Sequence, residues 1–281
     1  MHAAHRIRIY RTLHTAAGST LTQPSLWRPA VILLLPTLLL QLAAPTYLRT
    51  RLSPSPVFVV IGSLALVLLT QLVLPAVFAL VHARRNGRQA PATPVLARAS
   101  LRAGLRAFLG LVAFVLHGLW LQARYSFAGI YAAADDPLRA STIATRRAIW
   151  PLTMLVVTAL FASLIGQSLV AVLNENLGVV EQASVGGRIV FQLHYLPHAV
   201  TSVVAYLWSA ATVTFQAIAV SEILTEVEIP ADERHSRRQG TAVLASGNRG
   251  RDRLHRLIKA VGAIVLICGL AALVYKAQQH F

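Results

Sequence analysis

Acidic side chains are scarce in this chain. It carries 10 Asp and Glu against 26 Lys and Arg, and charged residues make up only 13% of its 281 residues, about half the share of a soluble domain. Cysteine is almost absent: Cys268 alone excludes a disulfide within the chain and any Cys-cluster metal site. Inside an apolar run it reads as a small packing residue. Lysine is nearly missing as well, with Lys259 and Lys276 the only two among the 26 basic residues. That bias points to a GC-rich bacterial genome. No Gly-rich phosphate loop, HExxH or GxSxG motif occurs, and paired catalytic groups are missing, so the chain reads as a non-enzyme with no cofactor.

Apolar residues fill the space that charge leaves. The hydrophobic fraction is 56% and the mean hydropathy +0.59. Six segments are almost free of charge: residues 31–48, 57–81, 107–123, 149–173, 199–221 and 257–275. A bilayer core takes about 20 apolar residues as a helix. The expected fold class is therefore all-α, a polytopic transmembrane helix bundle of five to six spans. Residues 1–29 form a cytoplasmic or interfacial N-terminal segment. Residues 30–276 form the helical domain, interrupted by a polar stretch over 231–256 expected to be largely mobile.

The net charge of +16 is compatible in principle with nucleic acid, but the arginines sit in short segments beside the spans, where cytoplasmic loops concentrate them. No nucleic-acid motif accompanies them. Membrane lipids with anionic head groups are the expected partners, together with other membrane subunits. Arg6, Arg8, Arg11 and Arg28 precede the first span without an acidic neighbour, which places the N-terminus in the cytoplasm of a bacterial inner membrane. The first apolar stretch then acts as an uncleaved anchor. If all six segments cross, 12 basic residues fall inside and 14 outside; if 107–134 enters and returns on the same side, the division becomes 22 and 4. The second division is the one that membranes impose, so five crossings plus one re-entrant segment are expected. Such a segment survives only if it is buried in protein or lines a wet cavity.

Local signals fill in the path. Ile7, Tyr10, Leu13 and His14 recur at helical spacing in a short interfacial helix. Pro36 predicts a kink in the first span. The second span, about 37 Å long at 1.5 Å per residue, should tilt or bend near Pro75. Residues 86–94 are a loop. Arg98, Arg102 and Arg106 then share one helical face, snorkelling beside Leu101, Leu105 and Leu109. Asp136 offers an N-cap with Pro137 at the first helical position, opening a short helix over 138–148. Residues 174–192 read as a loop. The fifth helix is expected to run past its span into water through Glu222, Glu226 and Glu228.

Several polar residues are candidates for function. Arg124, Arg146 and Arg147 together suit a lipid phosphate, because guanidinium groups make bidentate contacts; plain anchoring at the interface is the competing role. His117, Gln122, Gln167 and Gln216 stand at membrane depth, where a polar group marks either a pathway or an interhelical hydrogen bond. Ser168, Thr212 and Thr214 belong with them. His194 and His198 are four apart, but Pro197 lies between them and no carboxylate adjoins, so they read first as interfacial histidines and only second as metal ligands. Asp135 and Asp136 could form a carboxylate pair, although capping explains Asp136 more simply.

The run Arg124, Tyr125, Ser126, Phe127, Ala128, followed by Asp135, Ser141, Arg146 and Trp150, resembles a bacterial multipass family that includes the membrane domain found beside glycerophosphodiester phosphodiesterases. The similarity covers roughly residues 101–173 by motif and the rest by layout. The family's Leu-Thr-x-Gly-like ending is replaced here by Ala144, Thr145, Arg146 and Arg147, and the phosphodiesterase barrel is missing. The resemblance implies a stand-alone membrane module and not a hydrolase. A non-enzymatic module for lipid handling, transport or complex assembly is thus expected, with a small solute permease, its path near His117 and Gln167, as the alternative.

Overall fold

A computed structural model describes residues 9–49, 56–178, 180–185 and 188–228. The expected span over 257–275, the polar stretch 231–256, Cys268 and Ile7 lie outside the described residues. All packing below belongs to the unit Met1–Val227. Among the described residues nine α-helices, a 3-10 turn at Pro24–Leu26 and one hairpin follow: α1 Ile9–Thr22, α2 Arg28–Leu33, α3 Leu35–Arg49, α4 Pro56–Arg85, α5 Thr93–Ala113, α6 Val115–Arg124, α7 Pro137–Thr145, α8 Ile149–Asn176, β1 Val180–Val185, β2 Arg188–Leu193 and α9 Tyr195–Glu228.

Three of these helices are long and apolar enough to cross a membrane: Val60–Arg85, Ile149–Asn176 and Tyr195–Val227. The apolar path Arg28–Ala43 is shorter and broken. α2 stops at Leu33 and α3 restarts at Leu35, because Pro36 has no N–H to give the Ile32 carbonyl. The Tyr206 hydroxyl of α9 donates to the Val31 carbonyl beside this break, so the interruption predicted from Pro36 is bridged from a neighbouring helix. α4 carries Pro75 within one continuous helix.

The segment 107–123 is not one helix. α5 ends at Ala113, Phe114 is extended at φ −162°, ψ 117°, and α6 runs back along α5. Gly110 and Gly118 face each other across the turn. A Cβ on Gly118 would lie 2.5 Å from the Leu111 Cα, and one on Gly110 would lie 3.1 Å from the Gly118 Cα. Glycine is what lets the two backbones approach this closely.

α5 buries a stripe of small residues, Ala99, Ser100, Ala103, Gly104, Ala107 and Gly110, and meets α4 through Ala99 and Gly104. The contact centres on Pro75. By removing its own N–H, Pro75 leaves the Gln71 carbonyl without a donor in α4, and Gly104 lies against that carbonyl. On the other side Gly129 lies against the Pro75 carbonyl. Both close approaches require the absence of a side chain.

The main core gathers Val77, Phe78 and Val81 of α4, Leu152 and Leu155 of α8, Ile218, Ile223 and Leu224 of α9, and Phe127 from the segment after α6. Trp208 of α9 lies across Gly166 of α8, where a Cβ would come within 2.7 Å of the indole Cγ, and its Nε1 donates to the Ala162 carbonyl at 2.8 Å.

In α1 Thr12, Ala16 and Thr20 are buried and Leu13 packs on the core, while Tyr10 is exposed and stacks on His14. Three expectations need correction. The short helix expected over 138–148 ends at Thr145. The loop expected over 174–192 is instead the end of α8, a turn with Gly178 at φ +59°, and a hairpin pairing Val180 with Leu193 and Val185 with Arg188. Glu222 is not simply solvated: it forms an ion pair with Arg85 of α4.

Candidate functional site

Two sets of arginines flank the α5–α6 hairpin in sequence: one around the α4–α5 connection, the other from Arg124 to Arg147. A groove of about 240 Å³ is lined by Pro94, Arg98 and Arg102 of α5 and by Asp135, Pro137 and Leu138 at the start of α7. The start of α5 and the start of α7 thus stand side by side.

α5 is divided lengthwise. Its inner face is the small-residue stripe, whereas Arg98, Arg102 and Arg106 are exposed, as are Leu101, Leu105 and Leu109. The α5–α6 turn is apolar and outward-facing. Phe114 is 61% and Leu116 67% exposed, with Val112 and Val115 beside them. From Phe114 the nearest arginines are about 12 Å away at Arg106 and about 15 Å away at Arg124, at 1.5 Å per residue.

The chain after α6 is irregular yet buried. Ser126, Phe127, Ala128, Gly129 and Ala132 are inaccessible. Their backbone is satisfied by turns and by α7: the Phe127 N–H donates to Ser141 Oγ at 3.2 Å, and Ser141 Oγ donates to the Arg124 carbonyl at 2.9 Å. Thr145 Oγ1 also reaches that carbonyl, at 3.3 Å. α7 begins as expected, with Asp136 accepting from the Leu138 and Arg139 N–H groups at 3.2 and 3.1 Å.

The three arginines singled out from sequence meet different fates. Arg124 is partly buried; its Nε donates to Thr142 Oγ1 at 3.2 Å, and its guanidinium lies 4.7 Å from the Trp120 ring centre. Arg146 and Arg147 are exposed in the turn between α7 and α8. The structure brings the end of α7 to Arg124 through Thr145, one residue from Arg146.

The polar residues at membrane depth also separate. His117 is exposed and stacks on Trp120 with ring centres 5.7 Å apart. Trp120 is therefore flanked along α6 by an imidazole and a guanidinium. Gln122 pairs with Gln71 of α4 at 3.4 Å. Gln167 is exposed on α8, while Gln216 is buried in α9. Ser168, Thr212 and Thr214 bond carbonyls four residues back in their own helices. His117 and Gln167 are thus both exposed, on α6 and α8. His198 Nε2 donates to the Gln41 carbonyl at 3.2 Å and lies 3.4 Å from Ser202 Oγ, and His194 is exposed. Among the described residues no group of three His, Cys, Asp or Glu is placed to hold a metal.

Sequence reasoning missed the polar contacts that tie α4 to its neighbours. Buried His82 has Nδ1 at 2.9 Å from Ser221 Oγ and at 3.1 Å from Asn86 Nδ2. Arg85 pairs with Glu222 and also donates to the Ile218 carbonyl at 3.4 Å. Arg84 donates to the Ser25 carbonyl at 3.3 Å. These partners come from separate helices, so no local spacing announces them.

Fold and site together have the character of a helical membrane protein, with a cationic end and an apolar helical hairpin beside it. No family model, curated protein or solved structure matches the chain.

Proposed function

We propose that the chain is a non-enzymatic, multi-pass module of the bacterial cytoplasmic membrane that handles lipids at its cytoplasmic face. In this reading the N-terminus is cytoplasmic. α2 with α3, α4, α8, α9 and the apolar segment 257–275 cross the bilayer, while the α5–α6 hairpin dips into one leaflet and returns. The observation that carries it is the hairpin itself. Its exposed apolar tip at Phe114 stands about 12–15 Å from the nearest arginines, which matches half of a hydrocarbon core about 30 Å thick. A crossing would strand one set of arginines in the wrong compartment, whereas a return keeps both on one side. The irregular stretch after α6 is covered by α4 and α7, the condition under which such backbone is tolerated in a membrane. The similarity of Arg124 to Trp150 to the membrane domains beside glycerophosphodiester phosphodiesterases supports the same role. Arg146 and Arg147, exposed at the interface, then hold lipid phosphates, and Arg124 helps to position the α6–α7 corner.

Single cysteines in a Cys268→Ser background test the topology. Gln89→Cys and Arg139→Cys should label from the same side of sealed vesicles, with Asn176→Cys labelling from the other. Labelling of positions 89 and 139 from opposite sides removes the re-entrant reading. Alanine at Arg146 and Arg147 should weaken binding to vesicles containing anionic lipid by up to about 1 kcal/mol per residue. Unchanged binding removes their assigned role.

A further inference from the structure

We propose that the groove between α5 and the start of α7 selects a lipid head group carrying both a phosphate and a primary ammonium, the chemistry of phosphoethanolamine. The inference rests on the membrane reading above and adds a ligand class to it. The groove offers two signs of charge on opposite walls: Arg98 and Arg102, one helical turn apart on α5, and Asp135 from the turn before α7. All three are exposed, and among the described residues no ion pair joins Asp135 to Arg98 or Arg102. The opposed charges of the groove are therefore not spent on each other. Asp135 also differs from its neighbour, since Asp136 is occupied by the α7 N-terminus. Two guanidiniums present a fork of donors to a phosphate, while a carboxylate accepts N–H donors from an ammonium.

The position of the groove favours a lipid over a free solute. With Phe114 near the bilayer midplane, Arg102 stands about 18 Å and Arg98 about 24 Å from it. The hydrocarbon half-thickness is about 15 Å, and the head-group layer ends at about 20–22 Å. Arg102 is thus level with the phosphates, and Arg98 stands just outside them, within reach of its long side chain. Below Arg102 the exposed Leu105 and Leu109 offer a track for an acyl chain. The ammonium decides selectivity. A phosphatidylcholine head carries the same phosphate and the same net charge, but its quaternary nitrogen has no N–H to donate to Asp135.

The test compares those two lipids, because the arginines elsewhere on this face treat them alike. The intact protein is placed in nanodiscs containing equal phosphatidylethanolamine and phosphatidylcholine, and retained lipid is quantified by native mass spectrometry. Phosphatidylethanolamine should be enriched, and Asp135→Asn should reduce that enrichment by about two- to fivefold. Asp135→Glu should keep most of it, and Asp136→Asn, which preserves a capping side chain, should leave it unchanged. Arg98→Gln with Arg102→Gln should lower retention of both lipids. Soluble phosphoethanolamine should fail to displace the lipid. Equal retention of the two lipids by the unaltered protein, or enrichment untouched by Asp135→Asn, overturns the proposal and leaves the topology reading standing. Displacement by the soluble compound at lipid-equivalent concentration overturns the lipid as its source. Opposite-side labelling at 89 and 139 fails the membrane reading instead, so the two failures are told apart.

Discussion

Gly104→Ala should loosen the α4–α5 contact at its tightest point. The new Cβ would stand 2.7 Å from both the Gln71 carbonyl carbon and the Leu72 Cα, and closer still to the Gln71 oxygen. Carbon atoms rest at about 3.5–4.0 Å, so α5 must withdraw by about 1 Å, and every obstructing atom is backbone that cannot rotate away. A gap of that size forfeits about a quarter to a half of each dispersion contact along the stripe. Overpacking of this kind costs about 1–3 kcal/mol. Alanine also favours helix over glycine by up to about 1 kcal/mol, which would mask part of the loss. Gly62→Ala supplies the reference, because Gly62 lies in α4 with nothing within 4 Å of its would-be Cβ. Propensity then cancels between the two variants, leaving the steric cost. Equilibrium unfolding in mixed micelles should place Gly104→Ala below Gly62→Ala by about 1–3 kcal/mol. Equal stabilities would refute the argument that a bare backbone is needed beside Pro75.

Three further outcomes follow from other contacts. Tyr206→Phe removes the donor to the Val31 carbonyl at the α2–α3 break and should cost about 0.6–1.7 kcal/mol, read from the same unfolding assay. Glu222→Gln leaves Arg85 without its carboxylate; with both side chains about one-quarter exposed, the loss should be about 1 kcal/mol, and Arg85→Glu with Glu222→Arg should recover part of it. Phe114→Asp puts a charge at the hairpin tip, where insertion costs about 2.5–3.5 kcal/mol at the bilayer centre; position 139 should stay on the same side while folded yield in membranes falls. A normal yield would argue that the tip does not reach the hydrocarbon.

Helices, their approximate ends and their suitability for lipid were legible in the chain because they depend on local quantities. The three long apolar helices, the break before Pro36, the glycine-marked turn at Gly87, the Asp136 cap and the outward arginine face of α5 each follow from residues within a turn or two of one another. The hairpin over 180–193, which pairs residues up to 13 apart, escaped although Gly186 and Gly187 between two strand-like runs are a two-residue hairpin signal; the stretch was read as connection because it is polar and lies between two spans.

The site was legible only in part. The spacing of Arg98 and Arg102 defines a cationic face, but nothing near them indicates that Asp135 stands across a groove. His117 and Gln167 looked interior because their surroundings are apolar, yet both lie on outer faces. Depth along a span says nothing about direction around it when the helix is apolar on every side.

From the chain alone came the abundance of lipid-compatible helix, the clustering of arginine beside the apolar segments and the expectation that 107–134 turns back. Tertiary structure alone decided how the turn is made and what surrounds it: the reversal at Phe114, Gly104 and Gly129 either side of Pro75, Ser141 closing the loop, and Glu222 on Arg85. The physical reason is range. Hydropathy and charge act on each segment by itself, whereas a glycine's bare Cα, an orphaned carbonyl or a lone carboxylate acquires meaning only from the helix placed against it.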